Sequence, residues 1–121
     1  MLTIFMAPLA TAGDSASVVR GGRLYDNWSL ESRGRSPNHP NPAFKAQQVP
    51  VAMPDTWRCA ECHGWDYKGS HGIKGIAGRQ KSDPAAIAAL LKDANHGYGE
   101  LLSDADRLDL GNFVATGQTE M

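Results

Sequence analysis

The sequence predicts an all-α domain, because its apolar residues recur at helical spacing and no stretch alternates as a β-strand would. The chain has 121 residues, which suits a single domain. Leu, Ile, Val and Phe make up only 22 of them, and Gly and Pro add 20 that fill little core volume. The net charge of −1 argues against disorder. We therefore expect a further apolar component in the core.

The first 12 residues are predicted to be the remnant of a signal peptide, which leaves residues 13–121 as a single domain. Residues 1–12 carry no charge, and small residues around Ala12 are typical of a cleavage site. The alternative is an apolar tail that packs on the domain. The apolar run is far shorter than the ~20 residues of a membrane span, so no stable membrane insertion is expected. The 12 basic and 13 acidic residues also argue against nucleic-acid binding.

The first half of the domain predicts one helix followed by a long loop. The helix covers residues 18–30, with Leu24, Tyr25 and Trp28 close together on one side. Residues 31–57 carry five of the seven prolines, which block helix interiors and central strands. We expect this segment to be an irregular Pro-rich loop, and a loop of this length is often functional.

The second half predicts two more helices. Asp83 and Pro84 are typical of a helix start, and this helix is expected to end at residues 95–97. Ser103 and Asp106 form a variant capping box for the last helix. The apolar positions of the two helices are Ile87, Leu90, Leu91 and Ala94 in the first and Leu110, Phe113 and Val114 in the second. In the last helix, Gly111 leaves room for a close neighbour.

Cys59 and Cys62 are followed directly by His63 in the pattern C-x-x-C-H, the attachment signature of c-type haem. Cysteines at this spacing share one face of a helical turn, where both sulfurs reach the two vinyl groups on one haem edge. The histidine then projects over the macrocycle and binds iron. Haem also supplies the apolar component that the composition lacks. The sequence therefore predicts one covalent haem c held by Cys59, Cys62 and His63.

The two cysteines could instead form a redox-active dithiol or bind a structural zinc ion. A thioredoxin-like dithiol requires a βαβ context, and no strand pattern flanks the motif. A structural zinc site requires a second pair of ligands, and His39, His71 and His96 lack the paired spacing. Covalent haem attachment is preferred over both.

Together with this motif, residues 18–118 resemble small monohaem cytochromes c of the class I type. The resemblance implies a cytochrome c-like helical domain wrapped around the haem. Gly22 and Tyr25, together with the last helix, resemble the crossed terminal helices of that fold. Residues 72–78 resemble the loop in which the family uses a proline carbonyl to accept the Nδ1–H of the haem-binding histidine. This chain has no proline there, and a carbonyl near Ile73 is expected instead.

The resemblance also suggests the sixth iron ligand. Residues 95–106 resemble the segment in which similar cytochromes place a methionine ligand just before the last helix, and His96 stands at that position. Ligation by His63 and His96 is therefore expected. His71, Met53, His39 and an open five-coordinate iron remain alternatives, and His96 could instead be a helix-end histidine stabilised by the helix dipole.

Several side chains near the motif are expected to surround the haem. Trp57, Trp65 and Tyr67 are predicted to wall the pocket as core aromatics. Alternatively, an indole N–H or Arg58 donates to a haem propionate. Other candidate propionate partners are Arg20, Arg23 and Lys68.

The resemblance implies a periplasmic or otherwise exported electron-transfer protein that exchanges electrons with a redox protein donor and acceptor. One alternative is a haem-based sensor with a displaceable distal ligand, and another is a haem subunit of a larger oxidoreductase. The sequence shows no nucleophile–base pair, phosphate loop or carboxylate constellation of usable spacing. A stand-alone enzyme is therefore not expected, and no catalytic residue is predicted.

Overall fold

A computed structural model describes residues 15–41, 53–70, 73–77, 82–94 and 96–118. These ranges contain four α-helices and no β-strand, which confirms the all-α prediction for them. A 3₁₀ helix precedes the second α-helix, and a π-helical segment continues the fourth. The elements are α1 (Ser15–Ser32), the 3₁₀ helix (Met53–Trp57), α2 (Cys59–His63), α3 (Pro84–Leu90), α4 (Asp104–Asn112) and the π-helical segment (Phe113–Gly117). The predicted signal-peptide remnant, 1–12, lies outside the described ranges.

Helix α1 is longer than the predicted 18–30 and is interrupted near its end. Leu24, Tyr25 and Trp28 are buried, as expected. Asn27 has non-helical backbone angles (φ −155°, ψ 88°), and its side-chain oxygen accepts a hydrogen bond from the backbone N–H of Leu30 at 3.3 Å. Asparagine side chains compete in this way with helical hydrogen bonds, which explains the break. None of the helices described is long and apolar enough to cross a membrane.

The α1–α4 crossing forms the centre of the molecule. A Cβ atom at Gly21 would lie 2.0 Å from the backbone oxygen of Asp109, so the helices meet at this glycine. At Gly22, which the sequence had placed at the crossing, the nearest atoms belong to the Phe113 ring at 3.3 Å. Arg20 donates to the Asp109 carboxylate at 3.0 Å and to that of Asp106 at 2.5 Å. The predicted buried positions Leu110, Phe113 and Val114 are all in the core.

The capping box of α4 is present as predicted. The backbone N–H of Asp106 donates to Ser103 Oγ at 3.0 Å, and the backbone N–H of Ser103 donates to Asp106 Oδ2 at 3.1 Å. The two reciprocal bonds satisfy backbone donors at the helix start. Gly111 has the expected close neighbour, because a Cβ atom there would lie 2.3 Å from the backbone oxygen of Pro84.

Helix α3 begins as predicted but ends early. The Asp83 carboxylate accepts from the backbone N–H of Ala85 at 3.0 Å. The helix stops at Leu90 rather than at residues 95–97, and turns with tighter i→i+3 hydrogen bonds cover residues 91–94. Of the predicted apolar face, Ile87 is buried and Leu91 partly buried, but Leu90 and Ala94 are exposed. Within α3 itself, Ile87 is the buried residue, and the partly buried Leu91 lies in the turn that follows.

The predicted loop 31–57 is shorter than expected at both ends. Helix α1 extends to Ser32, and the 3₁₀ helix occupies Met53–Trp57. Residues 34–41 are irregular, as predicted, whereas residues 42–52 lie outside the described ranges. The backbone N–H of Asn41 donates to Thr56 Oγ1 at 2.9 Å. This bond attaches the start of the loop to the 3₁₀ helix that leads into α2.

Candidate functional site

Helix α2, which carries the C-x-x-C-H pattern, is held at both ends by buried aromatic side chains. The carbonyl of Trp57, two residues before α2, accepts hydrogen bonds from Trp28 Nε1 at 2.8 Å and from the Tyr98 hydroxyl. The carbonyl of Gly64, one residue after α2, accepts from the Tyr25 hydroxyl at 2.5 Å. These donors fix the backbone of a five-residue helix that is too short to be stable by itself. Sequence analysis placed Tyr25 and Trp28 in the core but did not identify these contacts.

The two cysteines lie half-buried on α2, and both are free thiols. Burial raises the pKa of the Cys59 thiol to about 12 and that of Cys62 to about 11. Burial, and next the cysteines nearby, raise the pKa of Tyr25 and of Tyr98 above the usual range. A reactive dithiol requires a lowered thiol pKa, so the site does not have the electrostatics of a thioredoxin-like centre.

His63, the last residue of α2, is oriented by a backbone carbonyl. Its Nδ1 lies 2.7 Å from the oxygen of Lys74, the residue after the expected Ile73. A carbonyl only accepts, so Nδ1 carries the proton and Nε2 keeps its lone pair for a metal. Burial lowers the pKa of His63, and this effect outweighs the hydrogen bond to Lys74. The neutral, ligand-competent form of the imidazole is therefore favoured.

His96 is oriented in the same sense by a carboxylate. Asp93 Oδ1 accepts from the backbone N–H of His96 at 2.7 Å and from its ring Nδ1 at 2.9 Å. An ionised carboxylate only accepts, so Nδ1 carries a proton, and in the neutral ring Nε2 is then the nitrogen with the free lone pair. Both histidines of the predicted pair thus have the tautomer that a metal ligand requires.

The structure brings the rings of His63 and His96 together. Their centroids are 6.4 Å apart and their planes differ by 25°. A histidine nitrogen binds a metal at about 2 Å with the ring centre roughly 1 Å behind it, so two histidines on opposite sides of one metal have centroids about 6 Å apart. The observed separation is close to this distance. The spacing of the two rings is therefore compatible with a metal between them.

Of the other candidate ligands, the structure describes the side chain of His39 alone. His39 is exposed, and its ring packs edge-on against Trp57 with a centroid distance of 5.7 Å. The backbone of Met53 begins the 3₁₀ helix, and its side chain is not described. His71 lies outside the described ranges. Of the described candidates, His96 alone forms a ring pair with His63.

The three aromatic residues that are predicted to wall a haem pocket differ in burial. Trp57 is buried and Tyr67 partly buried. Trp65, in contrast, is 56 % exposed, and the Arg58 guanidinium lies 5.8 Å from its ring centroid. The prediction that Trp65 is a core aromatic is therefore wrong, because the chain turns outward directly after α2.

Two of the predicted propionate partners already hold carboxylates. Arg58 donates to the side chain of Asp26 at 2.8 Å and lies 3.6 Å from that of Asp55. Arg20 is engaged in the α1–α4 contact described above. Arg23 and Lys68 stay predictions for that role.

No protein-family model, curated protein or solved structure matches the chain. Across the ranges that the structure describes, no group of three or more His, Cys, Asp or Glu side chains is arranged to hold a metal ion. Among the described residues, the histidine pair is the arrangement that bears most directly on a possible cofactor, with two candidate ligands.

Proposed function

We propose that the chain carries one covalently attached haem c and serves as an electron-transfer protein. The observation that carries this proposal is the pair of nearly parallel imidazoles, His63 and His96, 6.4 Å apart with both Nδ1 atoms engaged. A porphyrin supplies four nitrogen ligands to its iron, so two protein ligands complete the coordination. Within the part of the chain that the structure describes, no third ligand joins the pair, which suits a haem better than a lone metal ion.

The attachment chemistry belongs to α2. Each thiol of Cys59 and Cys62 adds its S–H bond across one haem vinyl group, which forms a thioether and leaves no atom over. The cysteines are three positions apart on one helix, so both sulfurs face the same haem edge. The bonds from Tyr25, Trp28 and Tyr98 hold this helix in place for both reactions.

The axial histidines determine what the site can do. When bound, haem iron supplies a reversible one-electron change between the ferric and ferrous states. His63 and His96 would both hold the iron, which would leave no position on it for a substrate. Electron exchange requires little movement of these side chains, so a carrier between a redox protein donor and acceptor fits the site better than an enzyme. Haem attachment of this type implies a periplasmic or otherwise exported location.

A second candidate function is a haem-based sensor in which a small ligand displaces His96. One observation favours it: His96 lies in a turn rather than a helix, and its side chain is 35 % exposed. An open cleft of about 480 Å³ adjoins this turn, lined in part by His39, Trp57 and Asp93. In a sensor the turn would open toward this cleft.

The proposal is tested by producing the chain with a c-type haem maturation system. We expect a mass increase of one haem and a c-type pyridine haemochrome spectrum. The double variant Cys59→Ser, Cys62→Ser should lose the covalent haem. If the unsubstituted protein is produced with the maturation system and carries no covalent haem, the proposal is refuted.

The axial assignment is tested by the midpoint potential. Methionine as an axial ligand raises the haem potential relative to histidine. His96→Met should therefore raise the midpoint potential, whereas the matched change His39→Met should leave it unchanged. An unshifted potential in His96→Met would contradict ligation by His96.

A further inference from the structure

The two imidazoles of the pair differ in what holds them. The Nδ1–H of His63 donates to the neutral backbone carbonyl of Lys74. The Nδ1–H of His96 donates to the carboxylate of Asp93, and the same oxygen also accepts from the backbone N–H of His96. The hydrogen-bond partner of His96 therefore carries a negative charge, whereas the hydrogen-bond partner of His63 is a neutral carbonyl.

The backbone of Asp93 is itself fixed to the end of α3. Its N–H donates to the carbonyl of Leu90 at 3.1 Å, and its own carbonyl accepts from the N–H of Gly97 at 2.8 Å. Gly97 has a φ of 74°, which a residue with a side chain rarely adopts. Asp93 therefore connects His96 to the end of α3, and the backbone of Asp93 is itself bonded to Leu90 and Gly97.

We propose that Asp93 is a positioning residue that orients His96 and lowers the reduction potential of the site through its negative charge. This inference rests on the proposed haem function. Ferric iron carries one more positive charge than ferrous iron, so a carboxylate hydrogen-bonded to an iron ligand stabilises the ferric state more. The carbonyl on His63 orients its ring without adding charge.

The orienting role and the charge are separable by substitution. Asp93→Asn keeps an acceptor for His96 and removes the charge, whereas Asp93→Ala removes both. We expect Asp93→Asn to retain two axial histidines but to raise the midpoint potential. Asp93→Ala should also release His96, so that the reduced protein binds CO.

The experiment is an optical redox titration of matured protein at fixed pH. A tenfold weaker preference for ferric iron corresponds to a rise of about 59 mV for one electron, which is the shift we expect for Asp93→Asn. The matched control is Glu100→Gln, which removes an exposed carboxylate lining the same cleft. Its shift should be less than a third as large.

A double-variant cycle separates the hydrogen bond from the general field. In the His96→Met background no ring N–H is present for Asp93, so Asp93→Asn should raise the potential by less than it does in the unsubstituted protein, because only the field of the charge is left. An equal shift in both backgrounds would overturn the inference, as would a potential of Asp93→Asn equal to that of the unsubstituted protein.

Failure of the inference is distinguishable from failure of the proposed function. If the unsubstituted chain attaches no haem, the function is refuted, whereas haem-loaded protein with an unmoved potential refutes the role of Asp93 alone. If Asp93→Asn does not mature, Asp93→Glu provides the test. Its longer side chain should misplace His96 and allow CO binding, and a CO-insensitive Asp93→Glu protein would overturn the orienting role.

Discussion

At the scale of single residues, one carbonyl connects the core to the attachment motif. The oxygen of Trp57 accepts from both Trp28 and Tyr98, and the indole N–H of Trp57 donates to the carbonyl of His39 at 2.7 Å. All three aromatic rings are buried. Buried polar groups without partners are costly, so this network determines where the chain enters α2.

Removing one donor should weaken the fold without destroying it. Tyr98→Phe deletes the hydroxyl, but Trp28 still bonds to the Trp57 carbonyl. We therefore expect the free energy of unfolding to fall by about 1 kcal/mol, measured by urea titration. The control Trp65→Phe changes an exposed aromatic ring and should stay within about 0.5 kcal/mol of the parent. Equal losses in the two variants would contradict this role for Tyr98.

Asp106 makes the α1–α4 contact sensitive to acid. Burial alone raises the pKa of Asp106, but hydrogen bonds from Arg20 and Ser103 outweigh it, so the pKa lies below 3.8. A carboxyl group with a lowered pKa stabilises the folded state above its unfolded pKa. That stabilisation is lost as the pH falls through the folded pKa.

Asp106→Asn should therefore flatten the acid dependence of stability. We expect a loss of about 2 kcal/mol at pH 7, since a charged hydrogen-bonding partner is removed. The difference between the variant and the parent should shrink below about pH 4. Urea titrations at pH 7 and pH 3 measure both quantities, and two curves that stay parallel over this range would count against the assignment.

At the scale of elements, the crossing of α1 and α4 depends on one of two adjacent glycines. Gly21→Ala would place a Cβ atom 2.0 Å from the backbone oxygen of Asp109, so the helices must separate. We expect a loss of about 3 kcal/mol in the free energy of unfolding. In Gly22→Ala the Cβ atom would meet only the edge of the Phe113 ring at 3.3 Å.

Gly22→Ala is therefore the matched control for the crossing. Its tight ring contact is offset by a gain in helix propensity of up to about 1 kcal/mol, and we expect a change within about 1 kcal/mol. The midpoint of urea unfolding measures both variants. If the two alanines destabilise the protein equally, the close approach at Gly21 does not determine the crossing.

The starts of α3 and α4 were predictable from sequence, whereas the start and interruption of α1 and the end of α3 were not. The caps at Asp83 and Ser103 act within a few residues, so the local sequence contains the information. The break at Asn27 and the early end of α3 at Leu90 depend on competition between helical and other hydrogen bonds. The sequence at residues 95–97 predicted a helix end, but the turn that Asp93 forms with His96 begins earlier.

In the candidate site, too, some residues could be predicted from the sequence and others could not. Cys59, Cys62 and His63 form a contiguous pattern, and His96 stands out because it occupies a recognisable position before the last helix. The carboxylate of Asp93 and the hydroxyl of Tyr98 gave no such signal. Their roles arise from hydrogen bonds that depend on the three-dimensional arrangement of backbone and ring.

At the scale of the whole molecule, aromatic rings make up much of the core, since five of the twelve buried hydrophobic residues that the structure describes are aromatic. Two clusters of rings lie beside α2. One donates hydrogen bonds to the carbonyl of Trp57, before α2, and the other donates to the carbonyl of Gly64, after it. Ring centroids within each cluster are 5.3 to 5.9 Å apart. The clusters are Trp28, Trp57 and Tyr98, and Tyr25, Tyr67 and Phe113. A chain with few aliphatic residues gains its packing from such rings, and a covalent haem between the two histidines would extend them.

The proposed covalent haem, with His63 and His96 as the two iron ligands, has one most direct test. That test is the absorption spectrum of the reduced, matured protein with and without CO. We expect a low-spin c-type spectrum that CO leaves unchanged, because both axial positions are filled. His96→Ala should make the same spectrum CO-sensitive. A clear CO shift in the unsubstituted protein would contradict the account and would favour the sensor in which His96 is displaced.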